Sequence, residues 1–205
     1  MNNLWIKIKR AFFGLIIHLP FKNFVRMMVL RLPYVDRIIK SETSKARARL
    51  AGYCTGNGAD VGFGGDPITG KAIRIDLEQP YTKSGAYPVQ LQGDARHLTW
   101  FRDNSLDFLY SSHLLEDFDD TAAVLKEWLR VLKPEGKLIL YCPDEKRYRN
   151  YCSRTGQMIN VHHKHEDFSL HYVKDMLLKG GNVRIVHEKD CVDDYSWELV
   201  VKKTR

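Results

Sequence analysis

Cysteine and long uncharged apolar runs are scarce in this 205-residue sequence. It has four cysteines and no C-x-x-C pair, which disfavours a disulfide framework and indicates reduced thiols in a cytoplasmic protein. The uncharged stretch at residues 11–21 is too short to span a bilayer, which needs about 20 apolar residues. Internal repeats and low-complexity segments are also lacking. The sequence therefore indicates one globular domain of ordinary size with some elaboration.

A glycine-rich turn follows a short apolar run at residues 58–61. A dinucleotide fingerprint that used Gly62 and Gly64 would need a third glycine where Pro67 stands, and no Lys-Ser or Lys-Thr pair follows as in a P-loop. A nicotinamide-dependent dehydrogenase is therefore disfavoured. A second apolar run ends in Asp76, whose carboxylate can accept hydrogen bonds from both hydroxyls of a ribose. The pattern slightly favours a nucleotide-type site over a plain turn followed by an edge strand.

The spacing of Asp60, Gly62 and Gly64 resembles the first motif of the class I S-adenosylmethionine-dependent methyltransferases, which is acidic-x-Gly-x-Gly-x-Gly. Gly65 and Asp66 depart from the last two positions of that motif. The resemblance implies S-adenosylmethionine as the cofactor and the transfer of its methyl group as the reaction.

Two further segments carry the resemblance, which covers the chain from about residue 51 to its end. Residues 113–117 (His-Leu-Leu-Glu-Asp) are similar to the His-x-Leu-Glu-His segment of the family, with Asp117 replacing the second histidine. Residues 130–136 (Arg-Val-Leu-Lys-Pro-Glu-Gly) resemble its Arg-Val-Leu-Lys-Pro-Gly-Gly turn, with Glu135 replacing one glycine. Together with alternating strand and helix patterns, they predict an α/β fold with a Rossmann-like, seven-stranded, mostly parallel sheet.

The resemblance also implies which residues bind the cofactor. Asp94 matches the acid that accepts a hydrogen bond from the adenine amino group, and the backbone N–H of Ala95 matches the group that contacts the ring. Without the upstream glycines, Asp94 would be interpreted as an ordinary loop or helix-cap residue. The expected cofactor-binding residues are Asp60, Gly62, Gly64, Gly65, Asp76, Leu77, Asp94, Ala95 and Ser111.

The local patterns also predict individual elements of the catalytic domain. The crossover after residue 61 has only ten residues before Ala72, so its helix is expected to shrink to about one turn, begun by Pro67. The region 145–167 is expected to be an irregular, substrate-facing insertion. Strands are predicted at 89–92, 108–111, 137–141, 183–186 and 197–201, and helices at 121–132 and 170–178.

The N-terminal segment is basic and apolar. Residues 1–50 contain 11 Lys/Arg and two acids, whereas residues 51–205 contain 21 Lys/Arg and 23 acids. Residues 1–33 can form two amphipathic helices, without the small-x-small cleavage site of a signal peptide. They could cover the sheet as a lid, or lie on an anionic membrane at the inner face; nucleic acid is disfavoured because basic and aliphatic residues alternate. The expected division is a helical extension at 1–50 and a methyltransferase domain at 51–205.

The acceptor of the methyl group is expected to be a small molecule, a glycan or a lipid-linked molecule, methylated at a hydroxyl. A hydroxyl acceptor needs a base, for which His113 is the candidate and the histidines of residues 162–165 the reserve. His113 could instead make a structural hydrogen bond at a strand end. The histidine cluster lacks a convincing set of metal ligands, so no metal is expected. The alternative function is a methyltransferase-like binding or scaffold subunit that lacks catalysis.

Overall fold

The computed structural model describes residues 41–78 and 87–205. Residues 41–205 form one compact unit. The two amphipathic helices predicted at residues 1–33 lie outside the described residues. Within the described part of the chain, no helix is both long and apolar enough to cross a membrane.

A seven-stranded sheet forms the centre of the described residues, with strand order β3-β2-β1-β4-β5-β7-β6. Strands β1 to β5 pair in parallel, and β7 runs antiparallel to both β5 and β6. The predicted Rossmann-like, mostly parallel sheet is therefore confirmed. The strands are β1 Gly58–Val61, β2 Ile73–Asp76, β3 Leu91–Gln92, β4 Leu106–Ser112, β5 Leu132–Pro143, β6 Val183–Val192 and β7 Ser196–Lys203. The helices are α1 Glu42–Leu50, α2 Thr121–Val131, α3 Glu145–Thr155 and α4 Leu170–Lys179.

The two faces of the sheet bury different helices, because alternate residues of a strand point to opposite sides. Leu109 on β4 belongs to the same core cluster as Trp128 on α2, and the Trp128 indole donates a hydrogen bond to the Ala95 carbonyl oxygen at 2.8 Å. The neighbouring Tyr110 belongs to a second cluster with Ala46 of α1. Helix α1, which the sequence assigns to the N-terminal extension, thus packs directly on the sheet.

The crossover between β1 and β2 differs from the prediction. Residues 62–72, all of which the structure describes, form turns and contain no helical turn at Pro67. The segment has too few residues for both a helix and the return to the sheet, so the chain closes through two short backbone turns. These are a bond from the Asp66 N–H to the Phe63 carbonyl oxygen at 3.0 Å and one from the Ala72 N–H to the Thr69 carbonyl oxygen at 3.3 Å.

The region predicted to be an irregular insertion contains helix α3. Its N-cap is Asp144, whose carboxylate accepts the Arg147 N–H at 3.0 Å, and its C-cap is Gly156 with φ +70°. Both residues are strong capping signals. The helix was missed because its sequence is rich in arginine and tyrosine and has few aliphatic residues to mark a buried stripe.

Candidate active site

The glycine turn after β1 has a backbone conformation that favours glycine at three positions. Gly62, Gly64 and Gly65 have φ of +68°, +59° and +86°. A Cβ on Gly62 would also lie 2.5 Å from a methyl carbon of Leu114. Side chains at these positions would be strained and, at Gly62, in steric conflict. The turn therefore brings bare backbone to the carboxyl edge of the sheet, as the sequence predicts.

Asp76 at the end of β2 holds this turn in place. Its Oδ2 accepts the Gly64 N–H at 3.0 Å, and its Oδ1 accepts the Leu77 N–H at 2.9 Å. A carboxylate at the end of this strand is the kind of group to which the two hydroxyls of a ribose donate hydrogen bonds. The side chain of Leu77 is 45% exposed beside it. An apolar side chain next to a buried carboxylate suits a nucleoside, which has both an apolar ring and a polar sugar.

Asp60 lies one residue before the end of β1 and is fully buried. Its Oδ2 accepts the Ile68 N–H at 2.6 Å, which ties the crossover to the strand, while its Oδ1 has no hydrogen-bond partner among the described residues. Burial raises the pKa of Asp60 to about 8, assisted by the charges of Asp66 and Asp76, so the carboxyl is protonated at pH 7. A buried polar group without a partner is costly, so a ligand group that accepts a hydrogen bond from Oδ1 would be stabilised.

Asp66, which departs from the family motif, has a structural role. Its carboxylate binds Arg47 Nη2 of α1 at 2.5 Å and also accepts a hydrogen bond from Ser41 Oγ, the N-cap of α1. Arg47 donates a further bond to the Pro67 carbonyl oxygen at 3.1 Å. The end of the glycine turn is thus fixed by α1 rather than by the helix that a longer crossover would supply.

Two other expected cofactor residues, Asp94 and Ser111, already bind other groups of the protein. Asp94 follows β3 at the edge where β2 ends, since the Gly93 N–H bonds to the Asp76 carbonyl oxygen at 3.0 Å. Its carboxylate binds Arg96 at 2.5 Å, and this hydrogen bond lowers the pKa of Asp94. The buried Ser111 hydroxyl donates to the Val61 carbonyl oxygen at 3.0 Å, inside the sheet. The structure therefore gives Ser111 a structural bond and leaves the adenine role of Asp94 and Ala95 as a prediction.

His113 connects β4 to a short 3-10 helix and has a left-handed backbone, with φ +49°. Left-handed backbone is uncommon for residues other than glycine, although asparagine, aspartate and histidine are enriched in it, and it often occurs at functional sites. The ring Nε2 lies 3.1 Å from Ser196 Oγ and 3.4 Å from Glu42 Oε2, and Nδ1 lies 3.7 Å from Glu116 Oε1. Burial lowers the pKa of His113 to about 4, although Glu42 opposes this shift. The imidazole is therefore neutral at pH 7.

A buried acid–histidine cluster extends from His113. His163 Nδ1 lies 2.6 Å from Glu145 Oε2, and its Nε2 lies 3.8 Å from Glu116 Oε1. Glu116 is 1% exposed, and neither of its carboxyl oxygens has a hydrogen-bond partner within residues 41–78 and 87–205. Burial raises the pKa of Glu116 to about 7. Burial acts to lower the pKa of His163, but Glu145 and Glu116 outweigh it and raise that pKa.

Sequence reasoning missed most of this cluster. Glu42, Glu145 and Ser196 come from α1, α3 and β7, and none of them lies in a motif that marks it as functional. Only a contact between distant parts of the chain brings them to His113 and His163. Among the residues that the structure describes, no group of three or more His, Cys, Asp or Glu side chains is arranged to hold a metal ion.

The segment that forms this edge of the sheet matches a known protein family. Residues 52–140 match the model of a family described as "Methyltransferase domain". That segment contains the glycine turn, Asp76, Asp94 and His113. No curated protein matches the chain significantly.

Several solved structures have the same fold. The PH0226 protein of Pyrococcus horikoshii has a TM-score of 0.59 at 21% identity, over 90% of this chain and 100% of that one. A SAM-dependent methyltransferase of Thermotoga maritima has a TM-score of 0.58 at 20% identity, over 87% and 93%. One of Archaeoglobus fulgidus has a TM-score of 0.58 at 16% identity, over 83% and 98%. At sequence identities this low, the structural similarity shows that the fold is shared.

The residues present fit S-adenosylmethionine, the cofactor that the matched domain implies. The bare glycine backbone allows close approach, the Asp76 carboxylate supplies an acceptor, the protonated Asp60 carboxyl supplies a donor, and Leu77 supplies an apolar surface. The carboxyl ends of adjacent parallel strands are also where open α/β sheets bind nucleotides.

Replacing Asp76 should weaken cofactor binding. We expect Asp76→Ala to lose roughly 1.5–3 kcal/mol of binding free energy, because hydrogen bonds to a charged acceptor are removed. Titration calorimetry with S-adenosylhomocysteine measures this loss. The matched control is Asp107→Ala, because Asp107 also accepts a backbone N–H, from Asn57 at 2.8 Å, but lies at the start of β4. Equal affinities of wild type and Asp76→Ala would place the ribose site elsewhere.

Replacing Glu116 should change the pH dependence of stability. Because the folded-state pKa of Glu116 is raised from 4.5 to about 7, the folded state binds its proton more tightly, and stability falls as pH rises through this range. Glu116→Gln removes that loss. We expect its free energy of unfolding, relative to wild type, to increase by up to about 3 kcal/mol between pH 4.5 and pH 7.

Urea unfolding at several pH values measures this difference, and Glu127→Gln is a control with the opposite sign. The bond to Arg130 lowers the pKa of Glu127, so its contribution to stability is present above pH 4.5 and is lost at lower pH. A Glu116→Gln effect that does not vary with pH would show that this carboxyl is not held protonated in the folded protein.

Proposed function

Because residues 52–140 form a methyltransferase domain that uses S-adenosylmethionine, we propose that this enzyme methylates a hydroxyl group, with His113 as the base that takes the proton. The observation that carries the proposal is the neutral imidazole of His113, whose side chain is 15% exposed, at the end of β4 and next to the glycine turn. A Cβ on Gly62 would touch Leu114, so the turn and the segment containing His113 are in close contact.

The bound cofactor supplies a methyl carbon made electrophilic by its sulfonium, and the protein supplies alignment and proton transfer. A neutral imidazole can accept the proton of an acceptor hydroxyl as that oxygen becomes a nucleophile. Glu42 and Glu116 lie near the two ring nitrogens of His113, at 3.4 Å and 3.7 Å. The charge of Glu42 raises the pKa of His113 and so stabilises the imidazolium that forms, although burial remains the larger effect.

The surroundings of His113 support an acceptor that carries hydroxyl groups. The ring of His113 lies 5.2 Å from the ring of Tyr141 and 6.0 Å from that of Tyr195, between centroids. The ring centroids of Tyr148 and Tyr151 lie 5.2 Å and 5.0 Å from the ring centroid of Tyr195. Aromatic rings with polar ends beside carboxylates suit a sugar or another hydroxylated small molecule better than an apolar one. This favours a small molecule or a glycan, free or linked to a lipid.

A lipid-linked acceptor would bring the enzyme to the inner face of a membrane from the cytoplasm. Residues 1–33 support this part of the proposal by their basic, amphipathic sequence. The alternative, a binding subunit without catalysis, would keep cofactor affinity but transfer no methyl group.

Replacing His113 should remove catalysis and leave cofactor binding intact. We expect His113→Gln to lower kcat by about 10²-fold or more, because glutamine cannot accept the proton. Methyl transfer from labelled S-adenosylmethionine is measured with phenolic, sugar and polyprenyl-linked glycan acceptors, and cofactor affinity is measured by calorimetry. The control is His171→Gln on the exposed side of α4. A wild-type kcat for His113→Gln would exclude the base, and cofactor binding by wild type without transfer to any acceptor would favour the binding subunit.

Reversing the charge of the N-terminal segment should weaken association with anionic vesicles. The variant Lys7→Glu, Lys9→Glu, Arg10→Glu loses attraction of about 1 kcal/mol for each basic residue removed near the surface. We expect full-length wild type to sediment with vesicles that contain phosphatidylglycerol, less so at high salt, and a smaller fraction of the variant to sediment under the same conditions. Cofactor affinity should not change. Altered stability or cofactor affinity with no effect on sedimentation would instead indicate a lid.

A further inference from the structure

Residues 146–164 have a composition unlike the rest of the catalytic domain. They contain five Lys/Arg and no acid, whereas residues 51–205 as a whole contain 21 Lys/Arg and 23 acids. The exposed side chains of α3 are all basic or neutral, namely Lys146, Arg149, Asn150, Ser153 and Arg154. Arg149 is bonded to Glu145 at 2.7 Å, and Lys146 and Arg154 are exposed to solvent. The solvent side of this helix is therefore positively charged.

The loop that follows α3 folds back along the helix. The Asn160 N–H donates to the Tyr148 hydroxyl at 2.9 Å, and Cys152 Sγ lies 4.0 Å from the Met158 carbonyl oxygen. His163 then reaches Glu145 at the start of the helix. These contacts fix the loop backbone against α3 from its C-terminal to its N-terminal end. The loop is thus a packed part of the domain and not a free tail.

Three large apolar side chains of this loop nevertheless lie in solvent. Met158 is 81% exposed, Ile159 is 44% exposed and Val161 is 85% exposed. Single exposed apolar residues are common, but three within four positions of a packed loop form a patch that is costly to leave in water. Burying such side chains in an apolar environment removes that cost.

We propose that Met158, Ile159 and Val161 insert into an anionic lipid surface while the basic residues of α3 and Lys164 contact the lipid head groups. The exposed charges of Lys146, Arg154 and Lys164 select an anionic surface, since Arg147 and Arg149 are bonded to Asp190 and Glu145. The exposed apolar side chains supply the buried contact. The loop ends at His163, which lies 3.8 Å from Glu116 in the cluster around His113. Docking there would place the candidate active site at the lipid surface.

This inference deepens the proposed lipid-linked acceptor and rests on it for its biological purpose, but vesicle binding tests it without any acceptor. Full-length protein is sedimented with vesicles of phosphatidylcholine and phosphatidylglycerol, and with vesicles of phosphatidylcholine alone. The loop variant is Met158→Ser, Ile159→Ser, Val161→Ser. The matched control is Leu178→Ser, Val186→Ser, which removes exposed apolar side chains from α4 and β6.

We expect the loop variant to lose anionic-vesicle binding by about tenfold or more, and the control to bind as wild type does. Both comparisons are repeated in the Lys7→Glu, Lys9→Glu, Arg10→Glu background, so that any contribution of residues 1–33 is separated. Unchanged melting temperature and S-adenosylhomocysteine affinity establish that the loop variant is folded.

Three outcomes would overturn the proposal. The first is equal vesicle binding by the loop variant and wild type in both backgrounds. The second is binding that does not depend on phosphatidylglycerol. The third is a raised KM of the loop variant for a soluble acceptor with unchanged vesicle binding, which would make the loop a cover for the acceptor. Cofactor binding and methyl transfer to soluble acceptors are measured separately. A negative result with vesicles therefore does not test the proposed reaction.

Discussion

The two hydrogen bonds that the Asp76 carboxylate accepts from the Gly64 and Leu77 N–H groups fix the geometry on which the candidate site depends. They join the end of β2 to the turn after β1, where three glycines have positive φ and no side chain restricts the backbone. A turn of this kind has high conformational entropy when unfolded and needs such bonds to remain in one shape. The same carboxylate that would bind the cofactor ribose therefore also builds the surface on which the cofactor would lie.

Burial of ionisable groups in the candidate site changes which of them carry charge. Burial raises the pKa of Asp60 to about 8 and that of Glu116 to about 7, and it lowers the pKa of His113 to about 4. The charged form of each of these groups is more stable in water than in the buried site, so their burial costs folding free energy. A neutral imidazole flanked by carboxyls is suited to proton transfer. Groups with strongly shifted pKa values reduce folding stability and are typical of catalytic sites.

The sequence predicted features that depend on local patterns and missed those that depend on distant contacts. The strands around Asp76, the glycine turn and the sheet class follow from short apolar runs, turn residues and a family resemblance. Helix α3 was missed even though Asp144 and Gly156 are good caps, since its Arg- and Tyr-rich sequence lacks an apolar stripe. The partners of His113 could not be predicted, because Glu42 and Ser196 reach it from opposite ends of the described chain.

Helix α1 links the two halves of the site, and the short crossover explains why it can. With no helix between β1 and β2, the end of the glycine turn is left for Arg47 and the N-cap Ser41 of α1 to bind through Asp66. The same helix carries Glu42 to within 3.4 Å of the His113 ring. A helix moves as a rigid unit over this length, so a shift of α1 would displace the cofactor turn and the partner of the candidate base together. Because the crossover is short, the glycine turn and the partner of His113 are both held by one nine-residue element.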